Sequence, residues 1–331
     1  MRYNTRMKII NETFRSASGR TADEDWLFFD IESTGLSPRA ASVYLIGCSW
    51  YERAEDLWRL RLYFADSRRS EPEVLGAFAD LLAGFSCVTH FNGDHFDIPF
   101  LKYRYAKYGM DDPFEGKDSV DLLKRVRKYK KLLGVENLKQ KTLERYLGVG
   151  RKDTFGGGEL IRVYEEYLYT DDPGLEHFLL LHNLEDVKGM SELTALLDIP
   201  GWIDGGFYLN RSSECGRDMI RIDLLSETEF PGHTELAGED GCALAAGGRE
   251  LSLKVRSYGG KVRIWYDEPG QYWFLPDEGI AVHKSVSAWT DPSRRVRATK
   301  DNCFGLCSPE ALVSCENATL FAHSWLKRFM K

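Results

Sequence analysis

Two carboxylates, one residue apart, are where this chain could do chemistry. Asp30 and Glu32 stand in Trp26-Leu27-Phe28-Phe29-Asp30-Ile31-Glu32-Ser33-Thr34-Gly35, an apolar run that breaks at a small polar turn. Residues i and i+2 of a strand share a face, so both acids project together from the end of a buried strand. Carboxylates held side by side repel one another and lose hydration, a cost that a bound cation offsets. Oxygen donors without neighbouring Cys or His suit Mg²⁺ or Mn²⁺ rather than zinc. The plainer reading of the same residues is a charged strand end running into a turn.

Further acids follow at informative places. In His90-Phe91-Asn92-Gly93-Asp94-His95-Phe96-Asp97 a strand ends at an Asn-Gly turn, and Pro99 suits the first turn of the helix beyond. Ligands bind at such strand-to-helix edges in α/β proteins, although Asp97 reads equally well as an N-cap. His182 and Asp186, four residues apart in His182-Asn183-Leu184-Glu185-Asp186, share a helix face. That pairing suits a metal ligand beside a proton acceptor, or a simple surface pair.

The elements that must position these residues are legible in outline. Residues 26–31, 42–51, 57–64 and 87–91 read as strands, and 71–85 shows apolar residues on one helix face. Residues 137–147, 158–169 and 175–197 continue with helical spacing. Strands and a helix followed by helices predict an α/β domain with a mixed sheet. After a helix stop at 198–201 the texture changes to alternation and turns, with strands expected over 207–209, 220–224, 250–255, 261–266, 271–275 and 279–288 and a hairpin at Gly259-Gly260. The expected organisation is a flexible N-terminal arm over 1–22, an α/β domain over 23–200 and a mostly β accessory domain over 201–331.

Composition sets bounds on function. The 331 residues are 43% hydrophobic and 29% charged, ordinary for a globular chain. No apolar stretch approaches the roughly 18 to 20 residues of a spanning helix, and the N-terminus has no secretory signal; a cytoplasmic protein without membrane contact is expected. Seven scattered cysteines suggest reduced thiols, and the spacing of Cys303, Cys307 and Cys315 matches no common zinc pattern. Net charge is −7, yet residues 101–152 hold fifteen basic side chains against seven acidic ones. A local basic field of that kind suits a polyanion, or is a solvated face.

Taken in order, Phe29-Asp30-Ile31-Glu32-Ser33-Thr34-Gly35-Leu36, then Phe91-Asn92-Gly93-Asp94-His95-Phe96-Asp97-Ile98-Pro99, then His182-Asn183-Leu184-Glu185-Asp186-Val187, the chain resembles the DEDD (DnaQ-like) exonucleases of the ribonuclease H-like fold, and more closely their bacterial YprB-like branch. The resemblance spans about residues 26–197, half of the chain. It implies a ribonuclease H-like mixed β-sheet flanked by helices, and a 3′–5′ exonuclease using two divalent ions, Mg²⁺ or Mn²⁺, per active site. Asp30, Glu32, Asp97 and Asp186 are then the metal ligands, with Asp30 the bridging one, and His182 the general base. His182 departs from the pattern: the His version of the superfamily places its base five residues before the last aspartate, the Tyr version four, and here His holds the four-residue position.

Ser33, Thr34, Gly35 and Asn92 are candidate contacts to a terminal nucleotide, or turn formers. Lys124, Arg125, Arg127 and Lys128 are candidate contacts to the backbone of single-stranded DNA or RNA. Residues 201–331 carry no motif; they guide substrate, bind a protein partner or give support. Two other functions fit the same residues: a nucleic-acid-binding scaffold without turnover, and a ribonuclease H-type endonuclease.

Overall fold

In the computed structural model, which describes residues 7–153, 156–215 and 218–330, the strand carrying Asp30 and Glu32 lies inside a sheet. Its strands are β1 (Met7–Phe14), β2 (Trp26–Ser33), β3 (Val43–Glu52), β4 (Leu57–Ala65), β5 (Cys87–His90) and β6 (Asp118–Asp121). They are ordered β1-β4-β3-β2-β5-β6. Short turns make the β2–β3 and β3–β4 pairs antiparallel, whereas β2–β5 and β5–β6 are parallel. The parallel step needs a crossover, supplied through α1 (Glu71–Leu82). The sheet is mixed and flanked by helices, in a ribonuclease H-like arrangement. Its interior is Leu27, Phe28, Phe29, Leu45, Ile46, Leu62 and Phe64, all fully buried.

Helices continue as α2 (Asp97–Lys107), α3 (Leu122–Val126), α4 (Lys130–Leu133), α5 (Gln140–Tyr146), α6 (Gly157–Thr170) and α7 (Pro173–Leu193). Local chemistry sets several starts. The Asp121 side chain accepts from Lys124 N to begin α3, and Asp172 accepts from Gly174 N just before Pro173 opens α7. Both α1 and α7 pack on β3 and β4, and α7 also packs on β2.

Contacts divide the chain into two units. One takes the chain up to Arg127 and again from Asn137 to Leu197; the other takes Lys128–Glu136 and everything from Asp198 on. The second unit is rich in sheet. After α8 (Ile199–Asp204) come β7 (Phe207–Glu214), β8 (Met219–Ala237) and β9 (Ala243–Arg256), joined antiparallel. Next are β10 (Val262–Trp265), β11 (Tyr272–Leu275), β12 (Ile280–His283), β13 (Val296–Arg297) and β14 (Phe304–Cys307), then α9 (Cys315–Met330). β10 pairs with β14, and β11 lies between β12 and β13. Gly259 and Gly260 both hold positive φ in the β9–β10 turn, as a tight reversal requires. Trp202 packs on Phe207 and Phe230, with ring centroids 5.4 and 4.7 Å away. Thr234 Oγ1 donates to Leu132 O at 2.8 Å, which ties the α4 excursion to β8.

Several expectations change. The segment 1–22 was expected to be a loose arm; its residues 1–6 lie outside the described residues, but Met7–Phe14 is an edge strand paired with β4 along its length. That strand is half-exposed, so backbone hydrogen bonding to an open edge, not an apolar side-chain pattern, holds it. The helix stop expected at 198–201 holds the start of α8, with α7 already ended at Leu193; Pro200 is tolerated there because its missing N–H has no helical partner. The strand expected over 279–288 ends at His283 and continues as a 3₁₀ segment. α9 had no counterpart in the sequence reading. All seven cysteines are free, and among the described residues none joins a cluster of metal-ligating atoms. No described helix is long and apolar enough to cross a membrane.

A buried ion pair pins α1 to α2. Arg104 Nε donates to Glu71 Oε1 at 2.7 Å and Nη2 donates to Glu71 Oε2, while Nη1 reaches Pro38 O at 2.9 Å. Glu71 also accepts from Val43 N at 2.8 Å and from Tyr108 Oη at 2.7 Å. Both side chains are at most 2% exposed, so removing one partner leaves an uncompensated buried charge. Arg104→Met is expected to cost about 3 to 5 kcal/mol, read as a lowered urea midpoint for the first unit; a change below about 1 kcal/mol would show that the pair is not a structural tie.

Candidate active site

β2 delivers Asp30 and Glu32 to one end of the sheet, and a β-irregularity between Glu32 and Ser33 ends its regular pairing with β3. Directly across from Asp30 stands Gly47 of β3. A Cβ there would overlap Asn183 Oδ1 and press on Val187, so the glycine lets α7 approach the sheet. That approach sets Asn183 Nδ2 2.7 Å from Asp30 Oδ2, to which it donates. Asp97 is the first residue of α2 and is buried. It is not the N-cap, since that position belongs to Phe96, which makes no capping bond. α7 adds His182 and Asp186 on one face.

The five residues converge. His182 Nε2 lies 3.2 Å from Asp186 Oδ2 and 3.5 Å from Glu32 Oε1; one ligand atom from each of Glu32, His182 and Asp186 falls within 4.8 Å of the others. Burial pushes the Asp30 carboxyl well above its ordinary range, and Asp186, Asp97 and Glu32 push the same way, against the Asn183 bond. Glu32 is likewise raised by burial, then by Asp186, Asp97 and Asp153, with Lys141 opposing. Asp97 is pushed up to about 7, chiefly by burial, although the backbone N–H groups of Asp97 and Ile31 pull back. A positive partner nearby favours the ionised form of carboxyls so placed.

Around them is a supporting set that the sequence reading did not single out. His182 Nδ1 donates to Asp153 Oδ2 at 2.7 Å, because an ionised carboxylate only accepts; Asp153 also pairs with Lys141 Nζ at 2.7 Å. Nε2 is therefore the nitrogen turned toward Glu32 and Asp186. The loop carrying Asp153 is held to α7 by Glu185, whose carboxylate accepts from Lys152 N at 2.9 Å and Asp153 N at 2.8 Å. Arg151, from the same loop, donates to Asp186 Oδ1 and pairs with Glu144 at 3.1 Å. Burial raises Glu144 to about 7 against the pull of Arg151 and Gln140. A Cβ on Gly189 would overlap the Glu144 carboxylate, so a glycine inside α7 makes room for it. Glu185 fell inside a motif stretch and Glu144 inside an expected helix, but Arg151 and Asp153 sit in a glycine-bounded loop with no periodicity to mark them.

The remaining sequence candidates are distributed. Ser33 Oγ donates to Gly35 O at 2.9 Å, and Thr34 Oγ1 accepts from Ser42 N at 3.0 Å; the turn after Glu32 is thus held by its own side chains. Asn92 takes positive φ, and its N–H donates to Asp121 Oδ1 at 3.1 Å. Lys124 is exposed and pairs with Asp94 at 3.4 Å. Arg125 and Arg127 are exposed in the same unit, whereas Lys128 opens the excursion that belongs to the second unit and lies against the Tyr129 ring, 4.9 Å from its centroid. The basic run is therefore not one face of one unit.

Several known proteins are similar to this chain. A curated relative, DNA polymerase 1 of Saccharolobus solfataricus, is 24% identical over 256 residues, 67% of this chain. The chain spans 29% of the length of that relative. Among solved structures, the family B DNA polymerase of the archaeon Pyrobaculum calidifontis matches at 21% identity with a TM-score of 0.41, covering 53% of this chain and 24% of that one. The zinc-bound E. coli ExoI–ssDNA complex matches at 15% identity with a TM-score of 0.31, covering 62% and 55%. A family model described as the RNase_H superfamily matches residues 27–198, more than half of the chain and the span that carries all five converging residues, and the chain belongs to that superfamily.

Proposed function

We propose that the chain is a metal-dependent 3′–5′ exonuclease of the DEDD type, in the YprB-like branch, hydrolysing phosphodiester bonds at the ends of single-stranded DNA or RNA. The observation that carries this reading is the crowding of Asp30, Glu32 and Asp97, whose carboxyls are raised by burial and by one another with Asp186 beside them. The donor set fits divalent ions of the Mg²⁺ or Mn²⁺ kind: hard oxygens from four acids, with His182 Nε2 turned toward two of them. Bound there, two ions supply Lewis-acid stabilisation to the attacking and leaving oxygens of the phosphodiester.

The chain's own residues do the rest. Asp153 holds the Nδ1 proton of His182, so that Nε2 is the atom available to take a proton from an attacking water. Glu144 and Glu185 hold Arg151, and Arg151 steadies Asp186 against the repulsion of the other acids. The turn Ser33-Thr34-Gly35, with Asn92, Lys124, Arg125 and Arg127, offers donors to the strand end. One observation favours a second reading, a binding scaffold without turnover: the Arg151 guanidinium already occupies one oxygen of Asp186.

A time course on 5′-labelled single-stranded DNA and RNA with Mn²⁺ separates the two. A ladder shortening from the 3′ end, abolished by Asp30→Ala, is expected; strand binding without cleavage would leave the scaffold. Metal uptake has its own readout. Mn²⁺ at about a hundred times its Kd is expected to stabilise the wild-type chain by about 2.7 kcal/mol, seen as a raised melting temperature, with the rise lost in Asp97→Asn; equal rises in both would remove Asp97 from the ligand set. Asp153→Asn is expected to slow cleavage by about ten- to a hundredfold and to change the His182 tautomer signal in ¹⁵N NMR, with partial rescue by Asp153→Glu. An unchanged tautomer would make Asp153 a structural residue only.

A further inference from the structure

The second unit carries an open cavity of about 760 Å³ that the active site does not use. Five cations line it, Lys131, Arg256, Arg263, Lys300 and Arg328, against the acids Glu239, Asp240 and Asp301. Two of the guanidinium groups lie over aromatic rings. Arg263 lies 3.9 Å from the Phe304 ring centroid and 4.1 Å from that of Tyr258, and Arg328 lies 3.7 Å from that of Trp265. A ring face attracts such a cation, and the guanidinium N–H groups still form a donor fork.

Among the described residues no carboxylate comes within ion-pair distance of Arg256, Arg263 or Arg328. Arg263 Nε and Trp265 Nε1 are buried donors without an acceptor, each costing free energy for as long as it stays unpaired. Burial lowers the proton affinity of Arg263, and Arg328 and Arg256 lower it further, against Tyr258 and Asp240. An arginine cluster held by aromatic rings and left without an anion matches bidentate recognition of phosphate. Leu236, Trp325 and Phe329 add apolar surface to the same lining, and the volume falls in the range of small-ligand sites.

We propose that this cavity binds a nucleotide, with the phosphate on Arg256, Arg263 and Arg328 and the base against Leu236, Trp325 and Phe329. The nucleotide is either free or one residue of a strand. The site is independent of the cleavage reading, because its lining shares no residue with Asp30, Glu32, Asp97 or Asp186.

The test is calorimetric titration of the full chain in EDTA with inorganic phosphate, dTMP and the tetranucleotide (dT)4, repeated with Arg256→Gln and Arg328→Gln. Both substitutions leave Arg263 in place. Binding of dTMP tighter than that of phosphate, weakened about tenfold in either variant, is the expected result and assigns the free nucleotide. Binding of (dT)4 but not dTMP, weakened likewise, supports the site and assigns the strand. Absence of binding by dTMP and (dT)4, affinity untouched by both substitutions, or phosphate binding as tightly as either nucleotide probe overturns the proposal, and none of these outcomes bears on Mn²⁺-dependent cleavage.

Discussion

Asp30, Glu32 and Asp97 repel one another where burial has removed most of the water that would separate them, and much of the first unit can be read as the means of holding them there. β2 is buried along both faces before its acids emerge. Gly47 and Gly189 are the two places where a side chain would force α7 away from its neighbours. Asn183, Arg151 and Lys141 supply the positive or donating partners that the protein itself provides. They stop short of full compensation, which is why the carboxyls remain displaced toward their protonated forms. Stability alone gives no reason to gather these acids, because an apolar group of similar volume costs less in such a place.

What the sequence revealed followed from periodicity and from unusual residue types at element ends. The doublet in β2 and the His182–Asp186 pair on α7 are local patterns, and both elements formed where expected. β1 was missed because its pairing depends on the open edge of β4, a partner some fifty residues away, and its own side chains carry no continuous apolar face. β6 spans four residues and is exposed at its start, which is too little for a period to register. The loop bearing Arg151 and Asp153 illustrates a different limit. Its residues matter through contacts to α7 some thirty positions later; charge counting folded Arg151 into a basic field that stopped one residue short of Asp153.

The two units treat charge in opposite ways with similar means. In the first, acids crowd together beside hydrogen-bond donors; in the second, guanidinium groups crowd together over aromatic faces. A net charge of −7 for the chain conceals both arrangements, since each is a local concentration of one sign. Average composition therefore said little about either, while the placement of individual residues said more.

The excursion Lys128–Glu136 makes the second unit discontinuous along the chain. α4 packs on β8 and α9, and Leu132 and Leu133 are buried. During synthesis those leucines leave the ribosome long before α9 exists. At about 5–20 residues per second the wait is about ten to forty seconds, with apolar side chains uncovered in a segment that interrupts the first unit. The strands of the first unit's sheet are complete by Asp121, whereas α4 stays uncovered until β8 and then α9 follow it, an interval in which Leu132 and Leu133 are open to misassociation.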